Sequence, residues 1–293
     1  MNRIRNTNDG SSREPYLRPD IHYANVKGLP FDSSAPQGND RELHQAIQAA
    51  GFKGVQDGGP RICKEFGLGF TGHARVNRCE EAAQIAQEKK EIGCECVTLH
   101  VGWGMEDDDE VSRLLEAVLM ASLRHDIPLY VETHRATITQ DMWRTVQFVG
   151  KFPEIRFNGD FSHWYNGQEM VYGGFEAKLE FLNPVFERVR FLHGRVASPG
   201  AIQVATEEAR YATALGHFRE MWTRSMLGFL RNAQPGDYLC FTPELLGPEI
   251  HYARLIPAAD GEWKEETDRW QEAQRYRTIA LECWKEAVRR TKT

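Results

Sequence analysis

Long hydrophobic runs are the first thing that this sequence lacks. Nowhere in its 293 residues do about 18 apolar residues follow one another, the length that a membrane-spanning helix needs. The opening residues, MNRIRNTNDGSSREP, also lack the apolar segment of a secretory signal. We therefore expect a cytoplasmic protein that has no membrane partner.

Paired cysteines and an excess of positive charge are missing as well. The six cysteines are scattered along the chain, and only Cys94 and Cys96 lie close together. Because a structural zinc site needs a second close pair, we expect reduced, buried thiols. The net charge is −6 and the pI is about 6.0, whereas domains that bind nucleic acids are usually basic. These absences predict neither a disulfide scaffold nor a nucleic-acid partner.

What the sequence does contain is an alternation of strand-like and helix-like segments. Segments with the composition of buried strands lie near residues 21–27, 52–57, 67–72, 95–101, 128–133, 155–160, 189–194 and 238–243. Helix patterns fill most of the gaps, and the C-terminal helix covers residues 267–290. Eight such strands predict an α/β fold, a single-domain (β/α)8 TIM barrel. We place the barrel at residues 19–293 and a flexible polar arm at residues 1–18.

Four residues of the type that binds metal ions lie at the ends of late strands. They are Glu132, Asp160, His193 and Glu244. The C-terminal ends of the strands form the active-site face of a TIM barrel, so we expect these side chains to converge there. Three carboxylates and one imidazole suit one divalent cation, with Mn2+ expected first and Mg2+, Co2+ or Zn2+ as alternatives.

Two of these residues predict proton transfer in addition to metal binding. A bound cation polarises a carbonyl group, and a neighbouring carboxylate can then remove the α-proton. Glu132 and Glu244 are the carboxylates that we expect to act as this acid/base pair. The same chemistry serves an isomerase, an epimerase or, when a β-hydroxyl group leaves, a dehydratase, and the residues leave these three open.

The motifs around these residues resemble those of a known superfamily. E-x-H at 132–134, D-x-x-H at 160–163, H-x-R at 193–195 and the late Glu244 are similar to the xylose isomerase-like TIM barrels. That superfamily includes sugar and sugar-phosphate isomerases and epimerases, ketose 3-epimerases and inosose dehydratases, with endonuclease IV as a more distant relative. The resemblance implies that His163 and Arg195 contact substrate oxygens. The chain departs from the common H-x-x-D pattern, because it reads H-G-R-V from His193.

Further residues are predicted to lie at the same mouth. We expect His100, His134, Trp103 and Trp164 to contact the substrate, the tryptophans by stacking on a sugar ring, while the role of His73 stays open. His134 is alternatively a residue that orients a metal ligand. Two long connections, from Asp160 to about residue 188 and after His193, are expected to form binding loops over this mouth.

The function predicted from these features is a divalent-metal-dependent sugar isomerase or epimerase. The substrate is expected to be a small carbohydrate, and the protein is expected to form a homo-oligomer, a dimer or a tetramer. The alternatives are a metal-dependent dehydratase or lyase acting on a keto-sugar or keto-cyclitol, a phosphodiesterase similar to endonuclease IV, and a non-catalytic subunit of a larger enzyme. The stretch 200–237 lacks the Asp-x-His pair that the phosphodiesterase resemblance requires.

Overall fold

Eight parallel strands form a closed barrel, which confirms the predicted fold. The computed structural model describes residues 4–259 and 261–292. The strands are β1 (Tyr16–His22), β2 (Gly54–Gln56), β3 (Gly69–Val76), β4 (Val97–Val101), β5 (Leu129–Glu132), β6 (Phe157–Gly159), β7 (Val189–Gly194) and β8 (Tyr238–Pro243). Each strand pairs with its neighbours in chain order, and β1 closes the barrel by pairing in parallel with β8.

Helices lie in the connections between the strands and after the last strand. They are α1 (Asp40–Ala49), α2 (Pro60–Glu65), α3 (Cys79–Glu91), α4 (Asp108–His125), α5 (Met142–Lys151), α6 (Ser162–Gly167), α7 (Phe175–Phe186), α8 (Ala212–Leu230) and α9 (Arg269–Arg290). A short antiparallel hairpin, β9 (Leu255–Pro257) and β10 (Trp263–Glu265), precedes the C-terminal helix α9. None of the helices in the described part of the chain combines the length and hydrophobicity needed to cross a membrane.

The barrel interior contains a small apolar cluster below the strand ends. Its members are Ile4, Cys96, Tyr130, Phe191, Tyr238 and Cys240. Alternate residues of a strand point to the same side of the sheet, so Tyr130 lies one layer below Glu132, and Phe191 one layer below His193. This packed layer gives the residues above it a rigid base. A larger apolar core fills the space between the strands and the surrounding helices.

The first strand lies earlier in the chain than the sequence predicted. Strand β1 covers Tyr16–His22, and most of the predicted strand is instead a 3-10 helix, Tyr23–Val26. The prediction was wrong because β1 contains two charged residues, Arg18 and Asp20, which made it look exposed. Both are buried, and the Arg18 guanidinium donates to Asp20 and to Glu95. The charges therefore pair inside the protein instead of facing solvent.

Residues near the N-terminus lie across the bottom of the barrel. Ile4 is buried in the inner apolar cluster. The backbone N–H of Thr7 donates to Tyr130 Oη (3.1 Å), and the hydroxyl of Thr7 donates to the carbonyl of Tyr238 (2.6 Å). Residues 1–3 of the predicted arm lie outside the described residues, and the flexibility of residues 1–18 stays a prediction.

The two long connections differ in structure. The connection after Asp160 contains two helices, α6 and α7, that the sequence pattern did not separate from a loop. The connection after His193 is irregular up to the 3-10 helix Ala209–Tyr211, with one isolated bridge between Ser198 and Ala201. Both begin at the C-terminal ends of their strands, so they lie on the side of the barrel where the candidate ligands were expected.

Candidate active site

The four predicted metal ligands converge at the C-terminal end of the barrel. Glu132 ends β5, Asp160 directly follows β6, His193 lies near the end of β7, and Glu244 directly follows β8. One potential ligand atom of each residue lies within 4.8 Å of those of the other three. Three of the side chains are at most 1% exposed, while that of Glu244 is 12% exposed. Glu244 is therefore the member of the group that solvent reaches.

The imidazole of His193 is held with one nitrogen facing the carboxylates. Its Nδ1 lies 3.5 Å from Glu132 Oε2, 3.5 Å from Glu244 Oε2 and 3.9 Å from Asp160 Oδ2. Its Nε2 is 2.8 Å from Gln56 Oε1, and the amide of Gln56 donates to Thr98 Oγ1. Because that bond fixes the Gln56 amide with its oxygen toward His193, Nε2 carries a proton and Nδ1 is the nitrogen that faces the site.

Hydrogen bonds also orient the carboxylates of Glu132 and Asp160. Asn158 Nδ2 donates to Glu132 Oε2 (2.9 Å), and His100 Nε2 lies 3.1 Å from Glu132 Oε1. Asp160 Oδ1 accepts from the backbone N–H (3.1 Å) and the hydroxyl of Ser162. Buried polar groups held in this way lose little additional freedom when they bind an ion.

Arg195 lies among the candidate ligands, at the place where the H-G-R-V motif departs from the common pattern. Its Nη2 donates to Asp160 Oδ2 and to Glu244 Oε2, the latter at 2.8 Å. The side chain is buried, and its guanidinium carbon lies 4.7 Å from the ring centroid of Tyr252. The structure shows an ion pair of Arg195 with two of the carboxylates, and the contact of Arg195 with substrate stays a prediction.

The charges of the group leave room for a divalent cation. Three carboxylates carry a charge of −3 against +1 on Arg195, and the remaining −2 is offset only in part by the proton on His193 that a bound metal would displace. A buried charge of this size requires a counter-ion, and three carboxylate oxygens with one imidazole suit a hard or borderline divalent metal. The residues present therefore fit the predicted metal ion.

The pKa values in the site follow from the same charges. Burial alone would lower the pKa of His193, but the carboxylates of Glu244 and Glu132 outweigh burial and raise the pKa to about 9. Burial would raise the pKa of Asp160, yet Arg195 and His163 hold it well below its usual range. The pKa of Glu132 and that of Glu244 are lowered as well, against burial, chiefly by His100 and by His193 respectively. The three carboxylates are therefore ionised at neutral pH.

A row of four histidines crosses the mouth beside this group. Its members are His73, His100, His134 and His163, and successive ring centroids lie 4.4, 4.0 and 3.7 Å apart. Burial is the main cause that lowers the pKa of His73 to about 4 and that of His134 to about 2. Burial likewise lowers the pKa of His163. These three imidazoles are neutral at pH 7, so they are available as hydrogen-bonding groups or ligands.

The two predicted aromatic contacts differ in their positions. Trp103 is 51% exposed at the mouth, where the Arg75 guanidinium stacks on its ring at 4.2 Å. Trp164 lies fully buried in the main apolar core, and its indole N–H donates to the carbonyl of Thr139 (2.7 Å). A substrate at the mouth can therefore reach Trp103, whereas Trp164 is part of the core and is not exposed at the mouth.

Several residues of the site were missed by the sequence analysis. Gln56 and Asn158 were missed because a neutral amide in a strand gives no signal of its own. His22 was missed because the predicted first strand began near it, whereas the real strand ends at it. Its Nε2 lies 3.8 Å from Glu244 Oε1 and 3.7 Å from Asp57 Oδ2. Tyr252, whose Oη lies 3.3 Å from His134 Nε2, comes from an irregular segment that no periodicity could place.

A cavity at the opposite end of the barrel has no comparable group among the described residues that line it. It has a volume of about 680 Å³ and is lined in part by Arg5, Arg18, Lys53 and Glu95. The charged side chain of Arg18 is already paired with Asp20 and Glu95. The chemistry-bearing residues of the described chain are thus concentrated at the C-terminal end of the strands.

Solved structures share this fold, although no family model and no curated protein matches the chain. A D-tagatose 3-epimerase-like protein is 11% identical with a TM-score of 0.55, over 93% of this chain and 100% of that one. A probable 3-DHS dehydratase from Bacillus anthracis is 12% identical with a TM-score of 0.52, over 80% and 94%. A xylose isomerase-like TIM barrel protein from Mycobacterium smegmatis, solved in complex with magnesium, is 11% identical with a TM-score of 0.50, over 97% and 100%. The resemblance predicted from the sequence is confirmed for the fold.

Proposed function

We propose that this chain, which has the fold of the xylose isomerase-like TIM barrels, is a divalent-metal-dependent isomerase or epimerase of a small carbohydrate. The observation that carries the proposal is the convergence of Glu132, Asp160, His193 and Glu244 at the barrel mouth, where three ionised carboxylates share a single permanently charged partner, Arg195. Such a group has little structural use, because ionised carboxylates are costly to bury together without a cation.

The four residues would hold one ion at the mouth. Mn2+ is the ion that we expect first, and Mg2+, Co2+ and Zn2+ are alternatives with similar ligand preferences. A bound divalent ion would polarise a substrate carbonyl and stabilise negative charge on its oxygen, an effect worth several kcal/mol. The magnesium bound to one neighbour of the same fold supports a divalent ion without identifying it.

The proton would be moved by the two glutamates. Glu244 is ionised at neutral pH and is the most exposed of the four residues, so we assign it the removal of the α-proton. Glu132 is also ionised and is fixed by Asn158 and His100, so it would first take up a proton from solvent and then return it to the substrate, while Glu244 releases its proton to solvent. A positioned general base typically contributes about 10²- to 10⁴-fold to the rate.

Further hydrogen-bonding groups at the mouth would orient the substrate. His163 and His134 lie beside the carboxylates, Arg195 bridges two of them, and His100 bonds to Glu132. Trp103 offers an exposed aromatic face to the apolar side of a sugar ring. We propose these residues as the substrate contacts, and we expect Tyr252 to cover the same region because it bonds to His134 and stacks on Arg195.

The test is a Glu244→Gln variant assayed by deuterium incorporation. Ketoses, 3-keto-glycosides and inososes are incubated with enzyme and Mn2+ in D2O, and the label at the carbon next to the carbonyl is measured. The wild type should incorporate deuterium into at least one substrate class, and the variant should be slower by about 10²- to 10⁴-fold.

Two controls make this result specific. Glu249→Gln changes an exposed glutamate of the same segment and should leave the exchange unchanged. Equilibrium dialysis should show that Glu244→Gln still binds Mn2+, since three ligands remain. Normal exchange by Glu244→Gln would refute the acid/base assignment.

A dehydratase is the second candidate, and His22 is the observation that favours it. Its Nδ1 accepts from the N–H of Ala24 (3.1 Å), so its Nε2 carries the proton and lies 3.8 Å from Glu244 Oε1. A donor beside the base could protonate a leaving hydroxyl group on the same face. Mass spectrometry separates the two reactions, because elimination removes one water from the product while isomerisation keeps the mass unchanged.

A further inference from the structure

The histidine row offers two sets of ligand-type residues besides the four-residue site. One set is His73, His100 and Glu132, and the other is His134, His163 and Glu132. In each set, one potential ligand atom of every residue lies within 4.8 Å of those of the other two. Both sets share Glu132 with the four-residue site, so an ion in either would be its immediate neighbour.

The hydrogen bonds of His100 exclude the set of His73, His100 and Glu132 as a metal-binding site. Arg75 Nη2 lies 3.3 Å from His100 Nδ1, and a guanidinium can only donate. Nδ1 is therefore the unprotonated nitrogen, and the proton sits on Nε2, which lies 3.1 Å from Glu132 Oε1. Arg75 is itself anchored, since its Nη1 donates to the carbonyl of Gly102 (2.7 Å). His100 thus has no free lone pair facing Glu132, and a hydrogen bond already holds these two residues together.

The hydrogen bonds of His134 prepare it as a ligand. Its Nδ1 contacts the backbone carbonyl of Arg135, an acceptor, so Nδ1 carries the proton. Its Nε2 is consequently unprotonated and accepts from the hydroxyl of Tyr252 at 3.3 Å, a contact that a bound ion would replace. Metal-binding histidines usually donate their other N–H to a carbonyl or a carboxylate in this way.

The imidazole of His163 lies against that of His134 and has an unused nitrogen. The side chain is fully buried, and Nδ1 has no hydrogen-bond partner among the described residues. Its Nε2 lies 3.5 Å from both Asp160 Oδ2 and Arg195 Nη2. The two protons of Arg195 Nη2 are already donated to Asp160 and Glu244, so Nε2 carries its own proton toward Asp160. A buried polar atom without a partner costs about 1–3 kcal/mol. A cation bound at Nδ1 would remove that cost and leave the Nε2 proton to Asp160.

We propose that His134, His163 and Glu132 form a second cation site, distinct from the four-residue site. Two imidazoles and one carboxylate suit a borderline first-row ion such as Zn2+, Co2+ or Fe2+, whereas the four-residue site also accepts harder ions. The second ion binds more weakly than the first, because Arg195 and the first ion together cancel the three carboxylate charges. Mg2+ should accordingly fill the four-residue site alone.

The test counts bound ions in three variants of the full chain. Each protein is dialysed against Co2+ or Zn2+ at saturating concentration, and the metal is measured by inductively coupled plasma mass spectrometry. The wild type should hold two ions per chain, and His134→Gln should hold one. His100→Gln is the matched control, since its side-chain amide keeps an N–H toward Glu132, and it should still hold two. Circular dichroism checks that each variant is folded, and His163→Gln replaces His134→Gln if the latter is not.

A third variant separates this proposal from the proposed function. His193→Gln removes a ligand of the four-residue site only, so it should lower the affinity for the tighter ion and leave the affinity for the weaker one unchanged. The cobalt absorption spectrum provides a second readout, because the weaker ion should add bands that His134→Gln lacks. A wild type that binds a single ion would overturn the second site. The second site would also be overturned if His100→Gln lost the weaker ion while His134→Gln kept it. Neither result would bear on the ion of the four-residue site.

Discussion

At the scale of single residues, the amide of Gln56 does more for the site than its neutral side chain suggests. It accepts the Nε2 proton of His193 and so turns Nδ1 toward the three carboxylates. Partners of this kind are worth about 10- to 100-fold in metal affinity. We expect Gln56→Leu to weaken Mn2+ binding by that factor, measured by isothermal titration calorimetry. Gln56→Glu keeps an acceptor oxygen and should bind Mn2+ at least as well as the wild type, and equal loss in both variants would contradict this role.

The raised pKa of His193 predicts how metal binding depends on pH. Metal needs the neutral imidazole, while the three carboxylates hold the pKa of His193 at about 9. Protons therefore compete with the ion, and Mn2+ affinity should fall about tenfold for each pH unit below 9.

The stability of the metal-free protein should depend on pH in the opposite sense. A pKa raised on folding stabilises the protein below the unfolded value, near 6.5, and this stabilisation is lost as the pH rises through about 9. Calorimetric titrations and urea unfolding at pH 6 to 9.5 would check both trends.

At the scale of elements, a capping motif in the sequence marks the N-terminal end of α4. Asp107 accepts from the backbone N–H groups of Asp109 and Glu110, and Glu110 accepts from the N–H of Asp107, which together form a capping box. We expect Asp107→Ala to lower the free energy of unfolding by about 1 kcal/mol, measured by urea denaturation. Asp109→Ala removes a charge from the same turn but leaves the cap, so it should cost only a few tenths of a kcal/mol.

The elements that the sequence misplaced or missed have a common physical cause. In β1, Arg18 pairs with Asp20 and with Glu95 inside the protein. The polarity of these residues therefore predicted an exposed segment where the structure has a buried strand. Helix α6 is one short helix, Ser162–Gly167, whose side chains from Ser162 to Tyr165 are all buried, so it has no amphipathic period to detect. Predictions from hydrophobic periodicity require that one face of the element is exposed to solvent, and they fail where tertiary contacts bury every face.

At the scale of the whole molecule, burial decides which thiols react. The described chain has no disulfide, and among its six free cysteines only Cys79 is exposed. Burial raises the pKa of Cys63 and that of Cys94 to about 12, so these thiols are both inaccessible and protonated. We expect a thiol reagent such as DTNB to modify one cysteine in the native protein and all six in urea. Rapid modification of more than one thiol in the native protein would contradict the packing.

Location and assembly are also properties of the whole molecule, and both stay predictions. The expectation of a cytoplasmic protein rests on the sequence, and the described helices only add that none could span a membrane. The expected dimer or tetramer is checked by light scattering. The proposed active site draws on residues of one chain, so activity should not depend on protein concentration if assembly merely adds stability.

The sequence by itself determined the number of strands, their order and the position of four ligand-type residues. It could do so because strand composition and strand-end polarity are local, and because parallel strands bring their C-terminal ends to one edge. Only the tertiary structure decided the partners of those residues. It placed Arg195 between Asp160 and Glu244, set the tautomers of His100 and His134 through Arg75 and a backbone carbonyl, and brought Tyr252 over the mouth. Those choices depend on distances between residues far apart in the chain, which no local pattern encodes.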